Sequence, residues 1–258
     1  MIDLTGKTIL VTGSSRGIGA TTAKTLSQVG AFVVLHYGRG DREAKSVAAD
    51  IGRDRCHLLS VDLAQPGAGK DLWQAAIAQV GNIDVLVNNA ATMPAASVED
   101  DWEVWSNAWQ TTLQVNLIAV ADLCREAICH FQTRQGSTLI KGGTIINIAS
   151  RAAFRGDGVE FMQYAASKGG VIALTRSIAR GFAKDGILAF AIAPGFVHTD
   201  RIAEVMQERG ADYVTRDIPM GAPAPPQDVA NAIAFLAAGL APHMTGATLD
   251  INGASYVR

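Results

Sequence analysis

The chain has 258 residues, of which 48% are hydrophobic and 18% are charged, and its formal net charge at pH 7 is -2. This hydrophobic content excludes an intrinsically disordered chain, and the nearly balanced charge provides no positive field for nucleic acid or for an anionic membrane surface. The N-terminal residues lack the basic and apolar regions of a signal peptide, and no apolar stretch reaches the length of a membrane span, about 18 residues.

Apolar segments of strand length alternate with amphipathic helical segments from one end of the chain to the other. The strands are nearly continuous in apolar character, as strands covered on both faces are, and we predict them at 7–12, 31–36, 56–61, 83–88, 143–149, 187–193 and 246–251. Helical periodicity predicts helices near 17–29, 41–51, 66–80, 100–114, 116–134, 162–184 and 227–239. This alternation predicts one α/β domain over residues 1–258: a Rossmann-type, doubly wound parallel sheet of about seven strands in a three-layer α/β/α arrangement.

Three segments between these elements are irregular in pattern, at 91–99, 134–142 and 194–226. The last is the longest, contains five prolines and leaves the carboxyl end of the sixth predicted strand. Ligands of doubly wound sheets bind beyond the carboxyl ends of the strands, so we interpret 194–226 as a substrate lid rather than an ordinary surface connection.

Residues 12–19, TGSSRGIG, follow the first predicted strand and open the first predicted helix. Gly13 allows a tight turn, Gly17 lets a ligand approach the backbone, and Gly19 permits close contact of helix and strand. The helix N-terminus offers unpaired N–H groups and a positive dipole end, so the segment predicts a dinucleotide phosphate site rather than a simple glycine-rich turn. Its candidate contacts are Gly13, Ser15, Arg16, Gly17, Ile18 and Gly19.

Further polar motifs follow in order along the chain. They are Asn88-Asn89-Ala90-Ala91 after the fourth strand, Asn116, Ser150 after the fifth strand, Tyr164 with Lys168 (YxxxK), and Pro194-Gly195 after the sixth strand. Together with the GxxxGxG spacing of 12–19, they resemble the motifs of the short-chain dehydrogenase/reductase family over nearly the whole chain, although Ala91 stands where that family has glycine. The resemblance implies an oxidoreductase that transfers a hydride between a nicotinamide cofactor and a carbonyl or secondary-alcohol substrate.

The chemistry of the predicted catalytic residues follows from their types. Tyr164 and Lys168 are four residues apart in a helical pattern, so both project from one face, where an ammonium would lower the pKa of the phenol toward a useful range. Ser150 would hydrogen-bond the substrate oxygen, unless it only caps local backbone. The resemblance implies that Asn116 helps to hold a proton-relay water and that Lys168 also binds the nicotinamide ribose.

The resemblance also places cofactor contacts beyond the glycine motif. It puts Asp62 and Leu63 near the adenine, Asn89 and Ala90 near the adenosine ribose, and Tyr164, Lys168, Pro194, Gly195, Val197 and Thr199 near the nicotinamide end. Thr199 is the best side-chain candidate for the carboxamide, with an ordinary role in a loop turn as the alternative.

Cofactor choice depends on the end of the second strand. NAD-using relatives carry Asp at the position of Tyr37, whereas this chain has no acidic residue between Gly19 and Asp41. Arg16 and Arg39 can approach a 2′-phosphate through charge-assisted hydrogen bonds, and His36 would add a weaker contact. We therefore predict NADP(H), the alternative being a solvated Arg39 and use of both cofactors.

The substrate stays open at this point. The resemblance is to 3-oxoacyl-(acyl-carrier-protein) reductases, and hence to a 3-oxoacyl thioester, but equally to sugar, polyol and other secondary-alcohol dehydrogenases. Nucleotide-sugar epimerases or dehydratases and a non-catalytic cofactor-sensing protein are further alternatives. We expect a cytoplasmic enzyme with a small-molecule substrate and neither a nucleic-acid nor a membrane partner. The resemblance implies a homotetramer, with contacts through helix 227–239 and residues 251–258.

Other residue patterns receive structural interpretations. Arg151, Arg155 and Arg201 either ring the mouth of the site and steer an anionic substrate, or are ordinary surface arginines, as we expect of Arg134 and Lys141. Trp102, Trp105 and Trp109 share one helix face and are expected to pack or to contact a subunit. The cysteines Cys56, Cys124 and Cys129 are expected to be reduced packing residues, and neither they nor the scattered histidines have metal-ligand spacing.

Overall fold

The computed structural model describes residues 2–134 and 142–257, so the predicted irregular segment 134–142, Lys141 included, lies outside the described residues apart from its two end positions. All seven predicted strands form, each within two residues of its expected ends. They are β1 (Thr8–Val11), β2 (Phe32–Tyr37), β3 (Cys56–Ser60), β4 (Val85–Asn88), β5 (Gly143–Ile148), β6 (Ile187–Pro194) and β7 (Thr248–Ile251).

The strands form one parallel sheet in the order β3-β2-β1-β4-β5-β6-β7. In its centre, Leu10 of β1 pairs with Val34 of β2 on one side and with Leu86 of β4 on the other. The chain moves outward from β1 to β3 and then, from β4, outward in the opposite direction to β7. This reversal between β1 and β4 creates the crevice in which doubly wound sheets bind ligands. The predicted fold class is confirmed.

Helices cover both faces of the sheet. They are α1 (Gly17–Gln28), α2 (Asp41–Ile51), α3 (Ala68–Val80), α4 (Trp102–Leu113), α5 (Ala119–Gln132), α6 (Ala152–Arg155), α7 (Met162–Phe182), α8 (Asp200–Arg209), α9 (Ala211–Thr215) and α10 (Pro226–Ala237). Short 3₁₀ turns occur at Val159–Phe161, Ala183–Asp185 and Pro242–Met244. None of the helices in the described residues is both long and apolar enough to cross a membrane.

Two hydrophobic layers fill the space between sheet and helices. One layer lies under α1, α2 and α10 and includes Leu26 and Phe190, while the other lies under α3, α5 and α7 and includes Leu72 and Phe131. Each of these four side chains is less than 2% exposed. Burial of one such side chain stabilises the fold by about 1.5–3 kcal/mol. Each layer contains many of them, and together they hold the strands, and hence the residues at the strand ends, in fixed positions.

The sequence pattern missed two features of the helical layer. A π-helical turn, Gln114–Ile118, joins α4 and α5 where the periodicity had suggested a break between two helices. The segment 194–226 is not irregular throughout, because it contains α8 and α9. Both are short, are separated only by Gly210, and carry too few apolar residues for a helical pattern to be visible in the sequence.

Candidate active site

A cleft of about 330 Å³ lies beyond the carboxyl ends of the central strands. Its walls come from β5 and β6, from the start of α7 and from α8, and include Ser150, Tyr164, Lys168, Gly195 and Thr199. These residues are far apart in sequence, and the parallel strands bring them together because all strands end at the same edge of the sheet. A cavity large enough for a small molecule therefore lies where the sequence predicts the ligand crevice.

Tyr164 and Lys168 lie on one face of α7, as their spacing predicts. The Lys168 Nζ is 5.8 Å from the centre of the Tyr164 ring and donates a hydrogen bond of 2.7 Å to the carbonyl oxygen of Ile148, at the end of β5. The lysine is only 3% exposed. Burial disfavours its charged form and lowers the pKa of Lys168 to about 8, so this ammonium titrates near the physiological range.

The phenol of Tyr164 behaves differently from the sequence-based expectation. Burial raises the pKa of Tyr164 above its usual value, and a hydrogen bond from the Ser150 hydroxyl offsets only part of that effect. The ammonium of Lys168 does not reverse the shift, because it is 5.8 Å from the ring and donates to a backbone carbonyl. The expected lowering of the pKa of Tyr164 is therefore wrong, and the phenol is neutral over the ordinary pH range.

Ser150 hydrogen-bonds local backbone, which is one of the two roles that the sequence left open, and its contact with the substrate stays a prediction. Its Oγ accepts a hydrogen bond of 3.1 Å from the backbone N–H of Ala152, at the start of α6. The same side chain lines the cleft beside Tyr164. This bond holds the Ser150 Oγ in place beside Tyr164, so that the hydroxyl can donate its hydrogen to the Tyr164 oxygen or to another oxygen atom in the cleft.

Asn116 lies in the π-helical turn and is fully buried. Its Oδ1 accepts from the N–H of Thr92 at 2.8 Å, and its Nδ2 donates to the carbonyl of Thr92 at 2.9 Å and to Ser167 Oγ at 3.2 Å. The amide therefore ties the segment after β4 to α7, which carries Tyr164. The side chain has a positioning role in this structure, and the proton-relay role implied by the resemblance stays a prediction.

The glycine motif forms a compact loop over the switch between β1 and β4. Gly13 has a φ of +65°, and a Cβ at this position would lie 2.8 Å from the Cα of Ala90. A Cβ on Gly19 would lie 2.2 Å from the Gly13 carbonyl oxygen. Asn89 holds the loop from the side, since its Nδ2 donates to the carbonyls of Thr12 and Gly13 at 2.9 and 3.0 Å. The cradle fits a phosphate approached by backbone N–H groups.

His36 was expected to contact a 2′-phosphate, and this prediction is wrong. The ring is 1% exposed, its Nδ1 accepts from the N–H of Gly13 at 3.2 Å, and its Nε2 is 2.9 Å from the carbonyl oxygen of Val61. Burial lowers the pKa of His36 to about 4, which keeps the ring neutral and lets Nε2 donate to that carbonyl. The two hydrogen bonds of His36 therefore connect the glycine loop to the residue that follows β3, which is a structural role.

The end of β2 carries the groups predicted to choose the cofactor. Arg16 and Arg39 are exposed, and neither guanidinium forms an ion pair with a residue that the structure describes. No role was predicted for Asp41, but its carboxylate accepts from Tyr37 Oη at 2.9 Å and from Lys45 Nζ at 2.6 Å. Two unpaired guanidinium groups beside a backbone cradle fit an additional phosphate on the adenosine ribose.

The remaining predicted cofactor contacts lie around the same crevice, with differing exposure. Ile18, Pro194, Gly195, Val197 and Thr199 line the cleft. Asp62 is exposed and its Oδ1 accepts from the N–H of Ala64 at 3.0 Å. Leu63 is 5% exposed and its side chain packs into the core, so only its backbone is available to a ligand. Ser15 and Ala90 are half-buried beside the glycine loop.

Two arginines expected to be solvated are not. Arg134 pairs with Asp84 at 2.9 Å and donates to the carbonyl of Gly142, and its side chain is 20% exposed. Arg151 is 7% exposed, lines the cleft, and lies over the ring of Phe196 with 4.6 Å between the guanidinium carbon and the ring centre. Phe196 could not be recognised from the sequence, because a single aromatic residue after a proline-glycine pair belongs to no spacing pattern.

The cysteines and tryptophans differ in part from their expected packing roles. Cys56 and Cys124 are buried, and burial raises the pKa of Cys124 to about 12, whereas Cys129 is exposed, so the packing prediction is wrong for that residue. Trp105 and Trp109 do share a face, with ring centres 5.6 Å apart, but Trp102 is 76% exposed. Among the residues that the structure describes, no group of metal-ligating side chains could hold an ion.

Known proteins similar to this chain extend over almost its whole length. A family model described as enoyl-(acyl carrier protein) reductase matches residues 13–254. The chain is 38% identical over 254 residues to 3beta-hydroxysteroid dehydrogenase 1 of Eggerthella lenta, covering 97% of this chain and 94% of that protein. It is 34% identical to a 3-oxoacyl-(acyl-carrier-protein) reductase of Rickettsia bellii, covering 98% of both.

A solved structure shows the same architecture with a ligand. The crystal structure of 3-oxoacyl (acyl-carrier-protein) reductase from Agrobacterium tumefaciens, with NADP bound, matches with a TM-score of 0.86 at 33% sequence identity. The match covers 98% of this chain and 95% of that one. The similarity therefore extends to the sheet, to both helical layers and to the segments that form the cleft.

Proposed function

Since the chain belongs to the short-chain dehydrogenase/reductase family, we propose that it is an oxidoreductase that transfers a hydride between NADP(H) and a carbonyl or secondary-alcohol substrate. The observation that carries the proposal is the meeting of Ser150, Tyr164 and Lys168 in one cleft next to the glycine loop. A cofactor-sensing protein would need the loop but not a buried acid/base group facing a cavity.

Residues of this chain would hold the cofactor along the crevice. The glycine loop takes the pyrophosphate, with Arg16 and Arg39 next to the adenosine ribose, where they favour a 2′-phosphate. Gly195, Thr199 and Lys168 lie at the opposite end, beside the substrate cleft. When bound there, NADPH supplies the hydride that reduces the carbonyl carbon.

The side chains of the cleft supply the proton and stabilise charge. The Ser150 hydroxyl donates a hydrogen bond to the substrate oxygen, where negative charge develops during reduction. Tyr164 transfers its phenolic proton to the same oxygen. Because burial raises the pKa of Tyr164, the phenol holds that proton at neutral pH, which is the protonation state that reduction of a carbonyl requires.

The substrate class is left broad by this chemistry. A 3-oxoacyl thioester is one candidate, since two of the similar proteins carry a 3-oxoacyl reductase name. A sterol or other secondary alcohol is the second, since the similar protein of E. lenta is named as a hydroxysteroid dehydrogenase. Both classes present one carbonyl or carbinol carbon to the same three residues.

The segment 194–226 is proposed to act as the lid of the substrate cleft. Ile202, Val205, Arg209 and Tyr213, from α8 and α9, line the cleft. The lid reaches the opposite wall through Arg201, which donates to the carbonyl of Met93 at 3.4 Å. Closing this wall would exclude water from the reacting atoms.

We also propose a homotetramer in the cytoplasm. The strand β7 lies at the edge of the sheet, with three of its four residues half-buried and Asp250 exposed, and an open strand edge is a ready surface for association. Leu240 and Val257, close to this edge in sequence, are 59% and 77% exposed. Light scattering that shows a stable monomer at micromolar concentration would contradict the tetramer.

A screen for NADPH oxidation tests the proposed function directly. Purified protein with NADPH is mixed with acetoacetyl thioesters, diketones, sugars and steroid ketones, and absorbance of the reduced cofactor is followed. We expect turnover with at least one class, and turnover lower by at least about 10²–10⁴-fold with the Tyr164→Phe variant at the same protein concentration. Tight binding of NADPH without turnover of any carbonyl would instead favour a cofactor-sensing protein.

A further inference from the structure

Arg151 occupies an unusual place for an arginine. It directly follows Ser150, and its backbone N–H donates to the carbonyl of Pro194 at 2.9 Å, which fixes it between the ends of β5 and β6. The residue is 7% exposed, and its guanidinium lies over the Phe196 ring within the wall of the cleft, with 4.6 Å between the guanidinium carbon and the ring centre. An aromatic ring can cover a guanidinium in this way without accepting hydrogen bonds from its N–H groups.

Within the described residues, those N–H groups have no hydrogen-bond acceptor. Nη1 of Arg151 is buried without a hydrogen-bond partner, and in residues 2–134 and 142–257 no side-chain nitrogen of Arg151 makes a hydrogen bond or an ion pair. A buried charge without a partner destabilises a fold, so it is retained where a ligand supplies the missing acceptor or where it does other work.

The other arginines of the cleft are already engaged. Arg155 pairs with Asp217 at 3.8 Å, Arg209 pairs with Glu160 at 3.7 Å, and Arg201 donates to a backbone carbonyl. The cleft also contains two acidic residues, Asp157 and Glu208, neither of which pairs with Arg151 in the described parts of the chain. Asp157 and Asp217 lie near enough to attract the charge of Arg151, but among the residues that the structure describes neither accepts a hydrogen bond from it, so its N–H groups remain available to a ligand in the cleft.

We propose that the Arg151 guanidinium binds a carboxylate of the substrate, so that the cleft selects oxo acids over neutral carbonyl compounds. The inference rests on the proposed function, because it concerns the substrate reduced at Tyr164. A carboxylate matches the planar fork and the single charge of one guanidinium, whereas a phosphate dianion needs a second free cation. The acidic surface of a carrier protein cannot reach a side chain this deeply buried.

Matched pairs of substrates test the selection. Oxo acids of increasing chain length are compared with their methyl esters in the wild-type enzyme, in Arg151→Met and in Arg216→Met. The methionine keeps a long side chain against Phe196 without the charge. Arg216 is the control, since it also lies over an aromatic ring, that of Tyr213 at 5.7 Å, but does not line the cleft.

The expected result is specific to the charged substrates. Charge-assisted hydrogen bonds are strong enough that Arg151→Met should lower kcat/KM for the preferred oxo acid by about 30-fold, mostly through KM. Its methyl ester should change by no more than a few-fold, and Arg216→Met should leave the acid-to-ester ratio as in the wild type. An equal loss for acid and ester, or a wild-type preference for esters, would overturn the proposal.

A second measurement does not depend on turnover. The melting temperature is recorded with NADP⁺ and increasing 4-oxopentanoate or its methyl ester, at constant ionic strength, since a ligand that binds only the folded state raises it. We expect a rise with the acid for the wild type and for Arg216→Met, and none for Arg151→Met. Equal shifts in wild type and Arg151→Met would overturn the proposal, even in a protein that reduces no carbonyl and so fails the proposed function.

Discussion

The two ends of the proposed cofactor crevice differ in the exposure of their charged side chains. At the adenosine end, Arg16, Arg39 and the Tyr37–Asp41–Lys45 group are exposed to solvent or nearly so, and water and salt screen their charges. At the reaction end, Lys168 and Arg151 are 3% and 7% exposed, and burial shifts the pKa of the lysine to about 8. We propose that the outer end chooses between similar cofactors, while the inner end carries the chemistry.

Removing the phenolic hydroxyl should give the largest effect, because it acts in the buried end. Tyr164→Phe lacks the proposed proton donor, and general acid catalysis is worth about 10²–10⁴-fold, so kcat should fall by at least that range. NADPH affinity, measured by calorimetric titration, should stay near that of the wild type because the glycine loop is unchanged. Retention of most of the activity on a good substrate would show that another group donates the proton.

The buried amide of Asn116 should matter for stability as well as for geometry. Asn116→Ala leaves the N–H and carbonyl of Thr92 without their partners, and the cost should be about 2–4 kcal/mol in the free energy of unfolding. Denaturant unfolding measures this. Lys45→Ala, at the exposed end, is the control and should unfold at the same denaturant concentration as the wild type, since its ion pair is surrounded by water. An unchanged midpoint for Asn116→Ala would contradict this role.

The pH dependence of kcat/KM for reduction should follow the titration of the buried Lys168. The pKa of Lys168 is lowered to about 8, so the ammonium is present below that pH and is lost above it, while Tyr164 keeps its proton because its pKa is raised. We expect kcat/KM to be level below pH 8 and to fall by about tenfold per pH unit above it.

A variant identifies the group that titrates. Lys168→Arg keeps its charge throughout this range, so whatever activity remains should show no fall near pH 8. An alkaline fall that persists at the same pH in Lys168→Arg would assign it to a different residue.

The exposed end should give the smallest effect, and one that salt weakens. We predict a preference for NADPH over NADH of about tenfold or more in kcat/KM, or about 1.4 kcal/mol, which Tyr37→Asp with Arg39→Ser should shift toward NADH. Raising the ionic strength should reduce the wild-type preference, because the guanidinium groups are open to solvent. Equal binding of NADH and NADPH by the wild type in a calorimetric titration would refute the assignment.

The same contrast explains how far the sequence could predict the molecule. The alternation of apolar and amphipathic segments was enough for all seven strands, since strands buried on both faces have an unmistakable composition. The motifs were enough to bring Ser150, Tyr164 and Lys168 into one cleft, because strand ends and helix spacing determine their positions.

What the sequence did not predict depends on burial and on partners distant in the chain. His36 was taken for a cofactor contact because the sequence does not show that Gly13 and Val61 occupy both of its ring nitrogens. The sequence left open whether Arg151 lies at the mouth of the site or is an ordinary surface charge, because its burial depends on Phe196, 45 positions later in the sequence. The raised pKa of Tyr164 likewise results from desolvation, which no local spacing encodes.

The π-helical turn at Gln114–Ile118 has a consequence for how this chain tolerates length changes. Such a turn contains one residue more than an α-helical turn, so α5 is rotated by about 100° relative to a continuation of α4. Deleting a single residue here would restore a regular helix and turn every later side chain of α5 away from its neighbours. Related proteins should therefore show few insertions or deletions in this turn. They should show more of them around Gly210, between α8 and α9, where a change of length displaces no buried helix.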